Sequence, residues 1–159
     1  MLDGMIPILT GLLAVLLLAA GLTMAARGLA GRRTVMGELA DQRISFPADD
    51  GLPDGLARFA GVRVRTGEQA RAYSDLIAAH VGKATGGRTY AEIADEWLAG
   101  GRKDERLARL REVAFMGQTL RGALLGAYQA WQVTMLVIGL GVLFTAIGAV
   151  LLAVALQGR

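Results

Sequence analysis

Charged positions divide this chain into three parts. From Gly4 to Ala26 there are 23 residues without a charge, and from Gly122 to Gly158 there are 37. A helix crossing the ~30 Å hydrocarbon core of a bilayer needs about 20 consecutive apolar residues, because lipid offers no partner to an unpaired backbone group. Met5 to Ala26 meets that length, and the pattern puts Pro7 in the first helical turn, where a missing N–H breaks no internal bond. Asp3 stands where a secretory signal peptide carries Lys or Arg, and the apolar run is longer than a usual signal core, so the stretch reads as a membrane span. A second span is predicted from about Ala130 to Leu156. Its only strongly polar members are Gln132, Thr134 and Thr145, and Tyr128 and Trp131 stand near its start, where amphipathic rings favour the membrane interface.

Between the two apolar ends, the pattern switches to short helical periods. Ile44-Ser45-Phe46 reads as a brief extended piece stopped by Pro47, the run from Ala48 to Gly55 has turn chemistry, and the alternating Gly61-Val62-Arg63-Val64-Arg65 is a candidate partner for the first piece. Thr66 with Gln69, and Thr89 with Glu92, carry the capping-box spacing that opens a helix. The first of these helices has an apolar side of Ala70, Tyr73, Ile77, His80 or Val81, and Ala84, ended by Gly86-Gly87. The second places Ile93, Ala94, Trp97 and Leu98 inward. A third starts near Asp104 and meets no proline before the second span, so one helix entering the membrane is expected, with Gly117 and Gly122 as the positions where it can bend.

Charge then sets orientation. Residues 27–127 hold 16 Lys plus Arg against 13 Asp plus Glu, which accounts for the formal net charge of +3. The basic residues crowd the two span ends: Arg27, Arg32 and Arg33 follow the first span, and Arg121 precedes the second. The positive-inside rule puts the central segment in the cytoplasm and both termini outside, as a multi-pass protein of the inner (plasma) membrane. Basic residues at these positions meet anionic lipid headgroups. Nucleic acid is not an expected partner, because the middle of the segment is slightly acidic and lacks a basic, aromatic-interleaved stripe.

Candidate chemistry is sparse. The chain has no Cys and one His. That removes disulfides, thiolate nucleophiles and multi-histidine metal sites; His80 with Asp75 is the nearest thing to a ligand pair, and a packed histidine is the plainer reading. No cofactor is expected. Gly82-Lys83-Ala84-Thr85 lacks the earlier glycine and the hydroxyl residue that a phosphate-binding loop needs. The predicted spans hold no ionisable residue, which argues against a pump or proton-coupled transporter. Small residues do recur every fourth position, at Gly122, Gly126, Ala130 and Thr134 and again at Gly141, Thr145, Ala149 and Ala153. In lipid such a stripe allows close helix packing, either against the first span through Gly11 and Ala19 or against another protein.

Ile44-Ser45-Phe46-Pro47-Ala48-Asp49, Phe59-Ala60-Gly61 with Val62 and Val64, Ala84-Thr85-Gly86-Gly87-Arg88-Thr89-Tyr90-Ala91-Glu92, Ala114-Phe115-Met116 and Leu120-Arg121 together resemble a family of small actinobacterial membrane proteins of unknown function with two transmembrane helices. The likeness covers most of the chain, and its most specific part is Thr85–Glu92, although Arg88 stands where the family usually has Lys and the segment after Trp97 is longer. Members are often labelled ring-opening dioxygenases. This sequence lacks the two-His-one-carboxylate set such iron chemistry needs, so the resemblance implies architecture and lineage and supplies no catalytic residue. An Arg to Lys ratio of 15 to 2 agrees with a high-GC genome.

The sequence therefore predicts a mainly α membrane protein in which two transmembrane helices flank a small helical extramembrane domain. Its parts are 1–26 as the first span, 27–103 as the domain, 104–129 as an amphipathic helix leading into the membrane, and 130–157 as the second span. The expected function is that of a non-catalytic accessory subunit of a larger membrane complex, such as a respiratory complex or membrane-bound monooxygenase. The alternative is a self-associating sensor or scaffold, a homo-oligomer whose cap binds a small molecule, lipid headgroup or metal through Tyr73, Asp75, His80 and Tyr90.

Overall fold

In a computed structural model the chain is mainly helical, and the structure describes residues 2–48 and 52–157. Among the described residues four α-helices follow one another: α1 (Leu2–Asp41), α2 (Gly67–Thr85), α3 (Tyr90–Ala99) and α4 (Glu105–Gln157). A short 3-10 helix, Asp54–Phe59, precedes α2. Two of them, over Met5–Asp41 and Glu105–Gln157, are long and apolar enough to cross a membrane. α1 does not stop at Ala26 but continues 15 residues to Asp41, because no Pro follows the arginines before Asp41, an isolated Gly37 costs only about 1 kcal/mol, and Met36, Glu38 and Leu39 are good helix formers. As α1 begins at Leu2, Pro7 lies in its second turn, where it removes one intrahelical hydrogen bond. α4 runs uninterrupted through Gly117 and Gly122. The chain forms two compact units, one made of the residues up to Thr34 and from Trp131 onward, the other of residues 35–130.

In the first unit α1 and α4 pack antiparallel on a repeat of seven. Ala14, Gly21 and Gly28 are buried on α1, and Gly141, Gly148 and Ala155 on α4, with the partly buried Thr134 one heptad before Gly141. A methyl group on Gly21 would lie 2.5 Å from Thr145 Oγ1 and 2.6 Å from the Gly141 carbonyl oxygen. One on Gly28 would lie 2.6 Å from Ile138 Cγ1, and one on Gly148 would lie 2.9 Å from the Ala14 carbonyl oxygen. Only a hydrogen fits at such backbone-to-backbone contacts. A seven-residue spacing is the period of a left-handed crossing, and without a hydrophobic driving force in lipid, this close approach is what holds two helices together. The Thr145 hydroxyl donates to the Gly141 carbonyl at 2.8 Å and the Thr134 hydroxyl to the Trp131 carbonyl at 2.7 Å, so neither is left polar and unpaired in an apolar setting.

The second unit has its own core of Leu39, Phe46, Val64, Ala70, Ala72, Leu76 and Leu124, with Phe59 and Tyr73 packed against it. The Phe46 ring stacks on Phe59 with centroids 5.1 Å apart and meets Tyr73 edge-on, also at 5.1 Å. The extended pieces pair as an antiparallel bridge between Ser45 and Arg63, with Phe46 N–H donating to the Val62 carbonyl and Val64 N–H to the Ile44 carbonyl, each at 2.9 Å. Both capping boxes form, at Thr66 with Gln69 and at Thr89 with Glu92. Asp104 caps α4 by accepting from the N–H groups of Arg106 and Leu107. Of the predicted turn run, Asp49, Asp50 and Gly51 lie outside the described residues, as does Arg159 at the far end.

Candidate functional site

Three places concentrate functional chemistry. The first is an arginine and aromatic belt in the first unit. The α1 stretch Arg27–Arg33 runs alongside Trp131–Ile138 of α4: Gly28 meets Ile138, Gly31 meets Thr134, and the Arg32 guanidinium stacks on the Trp131 ring at 4.4 Å. Arg27 and Arg33 are exposed. This register separates the start of the charge-free sequence on α4 from the level at which both helices are apolar. Below Arg27 and Ile138, α1 has 22 residues back to Met5 and α4 has 19 on to Gln157, or roughly 33 and 29 Å at 1.5 Å per residue.

The second place is a groove of about 390 Å³ in the second unit, lined by Leu56, Arg58, Phe59, Glu68, Arg71, Asp75 and Tyr128 among others. Glu68, Arg71 and Asp75 fall at i, i+3 and i+7 on α2, hence on one face. Neither arginine forms an ion pair with either carboxylate among the described residues. Instead Arg58 lies over Phe59 at 4.8 Å, and Arg71 over Tyr128 at 5.2 Å with its Nη1 donating to Tyr128 Oη at 3.3 Å. Ring faces thus hold the two cations while the two carboxylates stay available.

The third is an apolar surface on α3 and α4. Leu98, Val113, Phe115, Met116 and Leu120 are exposed, Phe115 by 59% and Met116 by 55%, with the Tyr90 ring tilted against Phe115 at 5.8 Å. Trp97 lies beside Arg111 at 4.1 Å and Arg102 at 5.9 Å. The inward position expected for Leu98 is not observed, since only Ile93 of α3 is fully buried.

Other predicted residues take varied places. His80 is exposed, not turned inward with Ala70 and Tyr73. Asp75 is exposed too, and five helical residues put the pair about 140° apart, so they do not converge. Among the described residues no three His, Asp or Glu side chains gather as a metal site. Tyr73 is committed to Phe46 and Tyr90 to Phe115. Arg121 is partly buried and donates to Gln118 Oε1 at 3.2 Å, and Tyr128 takes part in the groove. Of the small-residue stripe, Gly141 and Thr145 meet α1, Thr134 meets Gly28 and Gly31, and Gly122, Gly126, Ala130, Ala149 and Ala153 are exposed. Each step of four turns about 40° past a full circle, so a fourfold stripe leaves a packing face after two members, whereas a step of seven stays on it. That is why Gly21, Gly28 and Gly148 carry the contact; the readable signal was the spacing of Ala14, Gly21 and Gly28. Arg58, Glu68 and Arg71 had no distinguishing sequence signal.

Outside the spans, Glu92 is the one group whose acidity is clearly moved among the described residues. The Thr89 backbone N–H, then the Thr89 hydroxyl, donate to its carboxylate and hold it below its ordinary value of 4.5, with Arg88 adding a smaller pull. These hydrogen bonds are those of the α3 cap. Compared with protein families, with characterised proteins and with solved structures, the chain matches none.

Proposed function

We propose that the chain is a non-catalytic accessory subunit of a larger integral membrane complex, a membrane oxidoreductase being the first host to examine. The observation that carries this reading is the set of exposed apolar side chains Leu98, Val113, Phe115, Met116 and Leu120 in the second unit, on α3 and on the part of α4 that still carries charged residues. Met116 and Leu120 lie one turn apart and Phe115 touches Tyr90, and apolar surface shared in this way on a water-facing unit marks a place where another protein sits. The paired helices support the same reading: the buried Ala14, Gly21, Gly28, Gly141 and Gly148 are spent on their mutual contact, and no ionisable side chain lies between Met5 and Ala26 or between Ile138 and Gln157. They anchor the chain and offer no path for ions.

In this reading the hydrocarbon boundary falls near Arg27 and Ile138, so Trp131 and Arg32 stand among the headgroups and Arg27, Arg32 and Arg33 meet anionic lipid. The cap is cytoplasmic by the positive-inside rule. A photoreactive amino acid at Phe115, activated in intact cells, tests the assignment. A covalent adduct to a different membrane protein is expected, and adducts only to lipid or to a second copy would contradict it.

A further inference from the structure

The groove of the second unit has a charge arrangement that the accessory reading does not use. Arg58 and Arg71 supply two guanidinium groups, each resting on a ring, and Glu68 and Asp75 supply two carboxylates on the same wall, with no ion pair between the sets among the described residues. Arg71 has acidic neighbours three residues before it and four after it on α2, yet it turns to Tyr128. A groove of about 390 Å³ is at the small end of ligand sites. Two unpaired cations and two unpaired anions facing one cavity fit a ligand with both charges. Guanidinium groups favour phosphate oxygens, through forked hydrogen bonds, and carboxylates favour an ammonium that can donate.

We propose that this groove binds a phosphate group with a primary amine a few bonds away, the chemistry of an ethanolamine headgroup, with Arg58 and Arg71 on the phosphate and Glu68 and Asp75 on the ammonium. A quaternary ammonium has no N–H to donate to the carboxylates, so a choline headgroup binds less well. The ligand has two sources, a membrane lipid or a soluble phosphoamine, and the same site serves both.

The test uses the full chain in an uncharged maltoside detergent and sn-glycerophosphoethanolamine as probe, followed by ³¹P NMR. A saturable shift is expected. Glycerol phosphate, glycerophosphocholine, and the probe on Arg71→Gln or Asp75→Asn should each bind roughly tenfold more weakly, the scale of one lost charge-assisted contact. Arg71 and Asp75 are exposed, and an unchanged thermal midpoint confirms that each variant is folded. Repeating the titration in lipid nanodiscs separates the sources: exclusion of the probe by ethanolamine lipid but not by choline lipid assigns the groove to a lipid, and undiminished binding in both assigns it to a soluble ligand. The proposal is overturned if no saturable shift appears, if glycerol phosphate binds as well as the probe, or if both variants bind like the original chain.

Discussion

The guanidinium of Arg32 lies 4.4 Å from the centre of the Trp131 ring, and its Nη1 reaches the Met135 sulfur at 3.6 Å. This contact fixes the level at which the paired helices stop being apolar. A cation on a ring contributes roughly 0.5–1 kcal/mol where exposed and about 2 kcal/mol where desolvated, and with Trp131 buried Arg32→Ala should weaken the pairing of the two helices by about 1–2 kcal/mol. Depth is the sharper readout. With Trp97→Phe, Trp131 is the sole tryptophan. Its fluorescence should be quenched more by bromine placed near the headgroup end of the acyl chain than near the methyl end, and the opposite order would move the boundary deeper.

Replacing Gly21 should cost far more than replacing Gly122. A methyl on Gly21 meets the Gly141 carbonyl at 2.6 Å, whereas nothing lies within 4 Å of one on Gly122. Overpacking of this kind costs about 1–3 kcal/mol, and Gly122→Ala should be neutral or gain up to about 1 kcal/mol of helix propensity. Detergent-titrated unfolding of the two variants measures the difference, and equal effects would refute the heptad contact.

In the second unit, Gly117 is closed by Val81, whose side chain would overlap any Cβ there. Gly117→Ala should destabilise by about 1–3 kcal/mol, and Val81→Ala in that background should recover part of the loss, because contacting residues are energetically coupled. Thermal unfolding of the two single variants and the double variant measures that coupling, and strict additivity would show that the two positions do not touch.

The caps of α3 give a pH dependence with a defined sign. Glu92 has a folded-state pKa below its ordinary 4.5, so its stabilising effect is fully present above that value and is lost as the pH falls through the depressed one. Thr89→Ala should cost about 1 kcal/mol near neutral pH. Glu92→Gln should remove the acid-side loss attributable to this group, read as the change in thermal midpoint between neutral and acid pH.

Local signals wrote much of this architecture into the sequence. Thr66 with Gln69 and Thr89 with Glu92 predict their helices because a cap is settled within four residues, and Phe46 bonds Val62 and Val64 bonds Ile44 where alternation placed the two extended pieces. What depended on a distant partner was not legible. The fourfold run through Ala149 looked like a packing face until Gly21 showed that the contact repeats every seven residues. His80 shares the helical angle of Tyr73 and Leu76, yet it is exposed one turn beyond Leu76, and the pattern along the helix does not show where the covering core ends. The groove joins α2, the 3-10 helix and α4, and no spacing along one element announces that Arg71 will choose Tyr128 over Asp75.

We propose that the chain works as part of a larger assembly. Native mass spectrometry of protein extracted in a mild uncharged detergent tests it most directly, with a Phe115→Asp, Met116→Asp variant alongside. The account predicts a complex whose mass is no multiple of this 16.7 kDa chain, and its loss in the variant while the hairpin stays folded. A lone monomer, or a pure multimer of this chain that the variant leaves intact, would contradict it.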